Sequence, residues 1–337
     1  MKVAIIGTGA VARKHAQAFK NIGFELVACT NTTAESGHRF ADEWNMQFVP
    51  TVKELCRHPR VEMVDVCTFP EFRLAAVELC AQAGKHVQVE KPIATNLETA
   101  RGMIAAARRA GIVLGVVSQH RFDTASIFLH EAIAAGRLGR LLECDAYVKW
   151  YRSAQYYSRP IKGSWKTEGG GALISQAIHQ VDLLRWFAGP VHQVFGQWNL
   201  GGVHAIESED LVSAVIRYHN GASGVIQAST ALWPGYPERI EVHGTKGAAI
   251  ITGDRLSVWD VQEDSGPPPP LAEAAQSGAA DPMAISLEPF ERQFRNFAEA
   301  IHCRVQPLIS GEEGYLSLQL VDAIYRSCRS NQPVVLG

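Results

Sequence analysis

Two rhythms of apolar and polar positions run along this chain, and one gives way to the other near residue 120. Before that point, short and almost continuously apolar runs alternate with stretches whose apolar residues recur at helical spacing. Val3–Ile6 predicts a strand and Val11–Lys20 a helix; Phe24–Cys29 predicts a strand and Ala34–Trp44 a helix. Val61–Cys67, His86–Glu90 and Ile112–Val117 predict further strands, separated by helices over Glu71–Ala83 and Leu97–Ala110. Strands apolar on both faces, interleaved with helices, are the mark of a parallel sheet covered on two sides. Gly84 and Gly111 fall where helix C-caps are expected.

The second rhythm begins with a helix around Ala125–Ala135 and a strand over Leu141–Trp150 that alternates as a half-buried strand should. A loop rich in Tyr, Arg and Trp leads into a helix predicted over 172–187. From 191 to 260, strand patterns are punctuated by Asn220-Gly221, Gly244-Thr245 and Thr252-Gly253-Asp254, which predicts a mostly antiparallel sheet. Ser265–Pro270, with four prolines in a row, opens a loop expected to be mobile and to last to about 283. Helices over 288–302 and 311–329 close the pattern, and there is no internal repeat.

A chain of 337 residues suits two domains, and 47% hydrophobic with 20% charged residues is the composition of an ordinary globular protein. The net charge of -2 gives no electrostatic footprint for nucleic acid or an anionic membrane. No apolar run approaches the roughly 20 residues a membrane helix needs. The opening MKVAIIGTGA enters a strand and a glycine turn instead of a leader, so a cytoplasmic location is expected. Seven cysteines, none in C-x-x-C spacing, read as small buried hydrophobes, and no metal site is expected.

The turn after the first strand is Gly7-Thr8-Gly9-Ala10-Val11-Ala12, a G-x-G-x-x-A at a strand–turn–helix junction. Gly7 permits the tight turn, Gly9 lets the backbone approach a pyrophosphate, and Ala12 keeps helix and strand close. The helix N-terminus then faces the phosphates. This is the dinucleotide fingerprint in its required context, so the expected fold is α/β: a Rossmann, doubly wound parallel sheet over 1–120, with a second α/β domain over 121–337. The second strand ends Thr30-Asn31-Thr32-Thr33, with Asn31 where an acidic residue would grip the ribose diol. A neutral amide removes the charge that would repel a 2′-phosphate, so the cofactor is NAD or NADP. Thr32, Thr68 and Glu90 are placed on the cofactor side with it.

Gly84-Lys85-His86-Val87-Gln88-Val89-Glu90-Lys91-Pro92 is the most specific stretch of the chain. It resembles the GKHV-x-x-EKP signature of the glucose–fructose oxidoreductase / inositol dehydrogenase / MocA-like family. The resemblance extends through Gln119-His120-Arg121-Phe122, Gly169-Gly170-Gly171, His179 with Asp182, and the Gly244-Thr245-Lys246-Gly247 turn. It implies that the second domain is built on a large open, mainly antiparallel sheet, binds substrate and mediates oligomerisation, with the active site between the domains. Lys91 would project from the carboxyl end of its strand, where doubly wound sheets bind ligands. Partial desolvation and a cationic nicotinamide ring would lower its pKa.

On one continuous helix, Ser175 and His179 would share a face, and Asp182 could orient the His179 ring. Lys91 and His179 are therefore the catalytic candidates. Ser175 stands where many family members have aspartate, and Ala177 where many have glycine. The Ser175-Gln176 pair resembles the Asn-Gln version of a subgroup that includes nucleotide-sugar dehydrogenases, with both residues holding substrate hydroxyls. Tyr151, Arg152, Trp165 and Lys166 offer rings and cations to a sugar or its anionic groups, as Arg121 does at the domain junction, or else pack an interface.

The expected function is hydride transfer between a nicotinamide cofactor and a secondary alcohol or ketone of a sugar, cyclitol or nucleotide-sugar. The alternatives are an NAD-retaining glycosidase of the same family and a non-catalytic nucleotide-sensing regulator. A homodimer or homotetramer is expected, because the strand Asp210–Ile216 has few polar positions to give an open face to water.

Overall fold

The computed structural model describes residues 1–159, 161–271, 277–279 and 286–337. Ser265–Pro270 lie in neither helix nor strand, and most of the remaining loop expected to about 283 falls outside the described residues. The chain divides into two compact units, Met1–Gln119 with Leu287–Leu316, and His120–Ser286 with Ser317–Gly337.

In the first unit, β1 (Lys2–Ile6), α1 (Ala10–Asn21), β2 (Glu25–Thr30) and α2 (Ala34–Trp44) follow the expected alternation. A short β3 (Gln47–Phe48) and α3 (Val52–Arg57) come next, then β4 (Met63–Val66), α4 (Arg73–Gln82), β5 (His86–Val89), α5 (Leu97–Ala110) and β6 (Leu114–Val116). The six strands lie in the order β3-β2-β1-β4-β5-β6 and pair in parallel throughout. Their apolar runs are buried to the last residue at the centre, with Val3, Ala4 and Ile5 of β1 fully shielded. The Gly111 expected at a helix end caps α5 in the left-handed region, φ 66°.

The second unit holds α6 (Thr124–Ala134), β7 (Leu141–Lys149), α7 (Ala154–Tyr157), α8 (Ala172–Ser175), α9 (Ile178–Ala188), β8 (Val191–Leu200), β9 (Glu209–Tyr218), β10 (Ser223–Ser229), β11 (Arg239–Gly244), β12 (Gly247–Thr252) and β13 (Arg255–Val261). After α10 (Glu288–Cys303), which belongs to the first unit, α11 (Gly311–Ser330) and β14 (Val334–Val335) end the chain. Among the described residues the sheet has eight strands, ordered β13-β12-β11-β7-β10-β9-β8-β14. Its pairs are antiparallel except β7 with β10. Val212, Ala214 and Ile216 of β9 point to the buried face, while Val215 between them is 56% exposed. Close packing of α11 on β8 explains Gly196: a side chain there would meet Cys328 and Ile324.

Two expectations need correction. Residues 121–337 were read as one domain, yet Leu287–Leu316 packs with the first unit. The cause is the amphipathic α10, which buries Phe290, Phe294 and Phe297; Phe294 stacks on Phe19 of α1 at 4.1 Å. Gln293 then completes the edge of β6, donating to the Val116 carbonyl (2.7 Å) and accepting from the Ser118 amide (3.1 Å). The helix read over 172–187 is also not continuous. It breaks at Gln176 and Ala177, where the Ala177 amide reaches back five residues to the Ala172 carbonyl at 3.0 Å. Ser175 and His179 therefore sit on different helices, α8 and α9, instead of one face of one helix.

Among the described residues, no helix is long and apolar enough to cross a membrane.

Candidate active site

The glycine turn has the shape its sequence demands. Gly7 sits at φ +90°, and a side chain there would press on the Cys67 carbonyl group and Thr68. Gly9 is the N-cap of α1, takes no side-chain cap, and has open space where a Cβ would stand. Ala10 is exposed, Val11 half-buried and Ala12 fully buried against the sheet. An uncapped helix N-terminus above a bare glycine is what a pyrophosphate requires, so these residues fit a dinucleotide. Thr8 is buried and its hydroxyl lies 3.1 Å from that of Ser36 on α2, while Arg13 donates to the Thr8 carbonyl.

At the end of β2, the Asn31 amide donates to the Thr33 carbonyl at 3.2 Å, and Thr32 is exposed. The nearby Arg39 pairs with Glu35 one turn before it on α2. At the end of β4, the Thr68 methyl group borders Gly7, and its carbonyl accepts from Arg73 at 3.0 and 2.6 Å.

Lys91 follows the carboxyl end of β5, and its main chain is gripped from two sides. Its amide donates to Glu90 Oε2 at 2.9 Å. The buried Arg73 donates to the Glu90 and Pro92 carbonyls, and more distantly to that of Lys91 at 3.4 Å. Glu90 is therefore occupied by the protein on at least one carboxylate oxygen, and it faces His15 of α1 rather than standing open as a free cofactor ligand.

In the second unit, His179 is buried in the first turn of α9, its ring edge-to-face with His120 at 4.9 Å. His120 pairs with Asp123 at 2.6 Å. Asp182 accepts both arms of Arg121, at 2.7 and 2.6 Å, and the Ser317 hydroxyl at 2.8 Å. The Arg121 guanidinium also lies over Trp186, 5.5 Å from its centroid. Asp182, expected beside His179, neutralises the buried Arg121 through both arms of its guanidinium.

The triple glycine is shaped by Glu209. Its carboxylate accepts the Gly171 and Leu173 amides at 2.8 Å each and the Tyr325 hydroxyl at 2.7 Å. Burial pushes this carboxyl up to about 7, against the pull of those donors. Side chains at Gly170 or Gly171 would collide with Tyr325 or the Glu209 main chain. Ser175 donates to the Gly171 carbonyl at 2.7 Å. Gln176 accepts Arg152 at 3.1 and 3.0 Å and donates to the Tyr156 hydroxyl at 3.0 Å. This pull on the Gln176 side chain accompanies the break between α8 and α9.

The buried Arg152 also donates to the carbonyls of Gly278 and Ala279. Trp165 donates to the Glu207 carbonyl and packs with Trp198, Tyr325 and Arg329. Tyr151 stands edge-on to the exposed Trp233 at 5.1 Å, and Lys166 is exposed. The structure thus draws Ser175, Gln176, Arg152 and Tyr156 into one cluster and Trp165 into another. Sequence reading missed His15, Asp65, Arg73, His120, Asp123 and Glu209. Polar residues inside apolar runs, such as Asp65 in Val64-Asp65-Val66, were the available signal.

A glycine cradle at the start of a six-stranded parallel sheet, a clamped lysine at the end of its fifth strand, and a second unit on a mainly antiparallel sheet mark a dinucleotide-binding protein of the Rossmann class. The comparisons narrow this class. Residues 1–118 match the oxidoreductase family with an NAD-binding Rossmann fold, and residues 127–250 match the GFO/IDH/MocA C-terminal domain. The chain is 30% identical to the 1,5-anhydro-D-fructose reductase of Ensifer adhaerens over 97% of its own length and 96% of that protein's. It is 26% identical to the myo-inositol 2-dehydrogenase of Thermotoga maritima, covering 100% and 98%. Its structure is similar to that of the WlbA dehydrogenase from Bordetella pertussis, solved with NADH and UDP-GlcNAcA: 28% identity, TM-score 0.88, covering 100% and 98%. The chain belongs to the Gfo/Idh/MocA oxidoreductase family.

Proposed function

We propose that this protein interconverts a secondary alcohol and a ketone on a sugar, cyclitol or nucleotide-sugar, with Lys91 and His179 handling the hydroxyl proton. The observation that carries this reading is the double grip on the Lys91 main chain at the end of β5, beside the open glycine cradle of the same unit. A lysine on a mobile loop would need no such anchorage. The nicotinamide, when bound, accepts or returns the hydride of the substrate carbon. In the oxidative direction the substrate O–H proton passes to Lys91 or His179, the C–H pair leaves as hydride, and the C=O bond forms. Asn31, Thr32 and the Gly7–Ala12 turn serve the cofactor; Ser175, Gln176, Arg152 and Tyr151 serve the substrate.

The reductase and dehydrogenase relatives named above, and the nucleotide-sugar found with one of them, support a polyhydroxylated substrate. The same reading includes self-association through the outer face of the second unit's sheet. There Val215 of β9 stands opposite the exposed Phe195 of β8 and beside Val225 of β10, an apolar stripe of the kind that a second copy covers. A screen of aldoses, cyclitols and nucleotide-sugars for substrate-dependent change in nicotinamide absorbance tests the activity. Release of the aglycone from an aryl glycoside without net cofactor turnover would favour the glycosidase alternative instead.

A further inference from the structure

Five ionisable side chains, His15, Asp65, Cys67, Arg73 and Glu90, gather in the first unit, and none was needed to explain the glycine cradle. His15 lies on α1 and is fully buried, with Phe290 and Phe294 of α10 against its ring at 5.2 and 5.1 Å. Its Nδ1 is 2.9 Å from Asp65 Oδ2 on β4, and 3.4 Å from the Cys67 sulfur. Its Nε2 stands 3.1 Å from Glu90 Oε1, within ion-pair range although off the hydrogen-bond line. Asp65 is fully buried and Glu90 nearly so. Two carboxylates and one guanidinium, that of Arg73, would leave an uncompensated buried charge; an imidazolium at His15 brings the sum to zero. Buried charges persist only when balanced in this way.

We propose that His15 is a positioning residue for Lys91: as an imidazolium bridging Asp65 and Glu90, it fixes the Glu90 carboxylate that holds the Lys91 amide. The proposal rests on the reading of Lys91 as the proton-handling group. The chain of contacts runs from Asp65 through His15 Nδ1 and Nε2 to Glu90 Oε1, and from Glu90 Oε2 to the Lys91 amide. Arg73 grips the Glu90, Lys91 and Pro92 carbonyls from α4, so both edges of the lysine's main chain are tied to the buried cluster. The electrostatics agree with this geometry. Burial alone would lower the His15 pKa, but the Asp65 carboxylate opposes it, and the His15 pKa stands well above the ordinary value. Burial would raise Glu90, but His15, Lys91 and Arg73 outweigh it and hold it low. The Cys67 thiol, pushed up to about 12 by burial and by Asp65, remains protonated and donates to Asp65 at 3.1 Å.

The test compares His15→Gln, Glu90→Gln and the double variant, each shown to be folded by its thermal transition and its NADH affinity. We expect kcat to fall about tenfold or more in each single variant, with NADH affinity changed by less than about threefold. The double variant should be no worse than the poorer single one, because both act on one path. Lysines of the wild type and variants are also labelled by reductive 13C-methylation, and the Lys91 resonance is assigned with Lys91→Arg. Its chemical shift and titration midpoint should move in His15→Gln while the other lysines stay in place. This readout needs no turnover, so it stands even if Lys91→Ala keeps full activity and the functional reading of Lys91 fails. An unmoved Lys91 resonance with unchanged kcat in His15→Gln overturns the proposal. So does stoichiometric zinc binding lost in Cys67→Ser, because His15, Asp65 and Cys67 place donor atoms within 4.8 Å of one another and would then be ligands.

Discussion

Arg121 and Asp182 are locked in a two-armed ion pair, Nε to Oδ2 at 2.7 Å and Nη2 to Oδ1 at 2.6 Å, with both side chains almost wholly buried. Arg121 opens the second unit just before α6, and Asp182 lies in the second turn of α9, so the pair fastens the unit's first residues to the helix that carries His179. Removing Asp182 takes both of these bonds from a guanidinium that is almost wholly buried. Asp182→Ala is therefore expected to destabilise the protein by about 3–5 kcal/mol, the range for a broken buried pair. Urea unfolding of the second unit measures it. A loss below about 1 kcal/mol would show that the pair is not the fastening it looks to be.

The ribose end makes a separate prediction. Asn31 closes β2 with its side chain turned to the Thr33 carbonyl, and the nearest arginine in α2 is paired with Glu35. Asn31→Asp should shift preference toward NAD by repelling a 2′-phosphate. The NAD:NADP ratio of kcat/KM should rise by about tenfold, a difference of about 1.4 kcal/mol. An unchanged ratio would place the ribose elsewhere.

The titration of His15 gives the protein a pH dependence with a definite sign. Its folded pKa lies above its unfolded value, so the stabilisation is complete below about 6.5. It is lost as pH rises through the higher folded value. Wild-type stability should fall across the alkaline range, by up to about 1.4 kcal/mol per pH unit while this group titrates. His15→Gln should be less stable at pH 6 and should flatten the slope. Urea midpoints between pH 6 and 9.5 measure both.

The apolar stripe on the second sheet predicts self-association. Val215→Glu places a carboxylate opposite Phe195 and beside Val225, where a covering copy would have to bury it unpaired. Sedimentation should show the wild type as a dimer or tetramer and the variant shifted to monomer. A wild type that sediments as a monomer at micromolar concentration would remove the interface.

Most of the first unit was legible because its strands and helices declare themselves by local pattern: Val3–Ile6 and Leu97–Ala110 lie within a residue of the observed elements. Short pieces were not. Gln47–Phe48 and Val52–Arg57 are too brief for a period to show, and only the partner strand β2 makes Gln47–Phe48 a strand. The return of α10 to the first unit depends on Phe294 finding Phe19, a contact between residues 275 positions apart that no local pattern encodes. The break after Ser175 was hidden for a similar reason: Ala172–Ala188 is helical in propensity throughout, and the interruption comes with the Arg152–Gln176 contact. Lys91 and the glycine turn were legible as motifs, but the cluster that anchors Lys91 draws His15, Asp65, Arg73 and Glu90 from four separate elements or their ends.

The mechanism stands or falls on Lys91. Its amide and the carbonyls on either side are tied down by Glu90 and Arg73. If its side-chain amine exchanges a proton with the substrate hydroxyl, Lys91→Ala should lower kcat by about 10²–10⁴, the usual loss for an acid–base group. Cofactor affinity should change little, because the uncapped N-terminus of α1 and the Gly7–Gly9 turn supply that binding. His179→Ala should also lower kcat, and the double variant should fall short of the product of the two losses if the groups act as a unit. Ser175→Ala should be milder, since its hydroxyl is already donated to the Gly171 carbonyl. The deciding measurement sets turnover against NADH affinity in Lys91→Ala on a substrate found by the screen. A variant that binds NADH and keeps wild-type kcat would show that Lys91 moves no proton, and the proposed mechanism would be wrong.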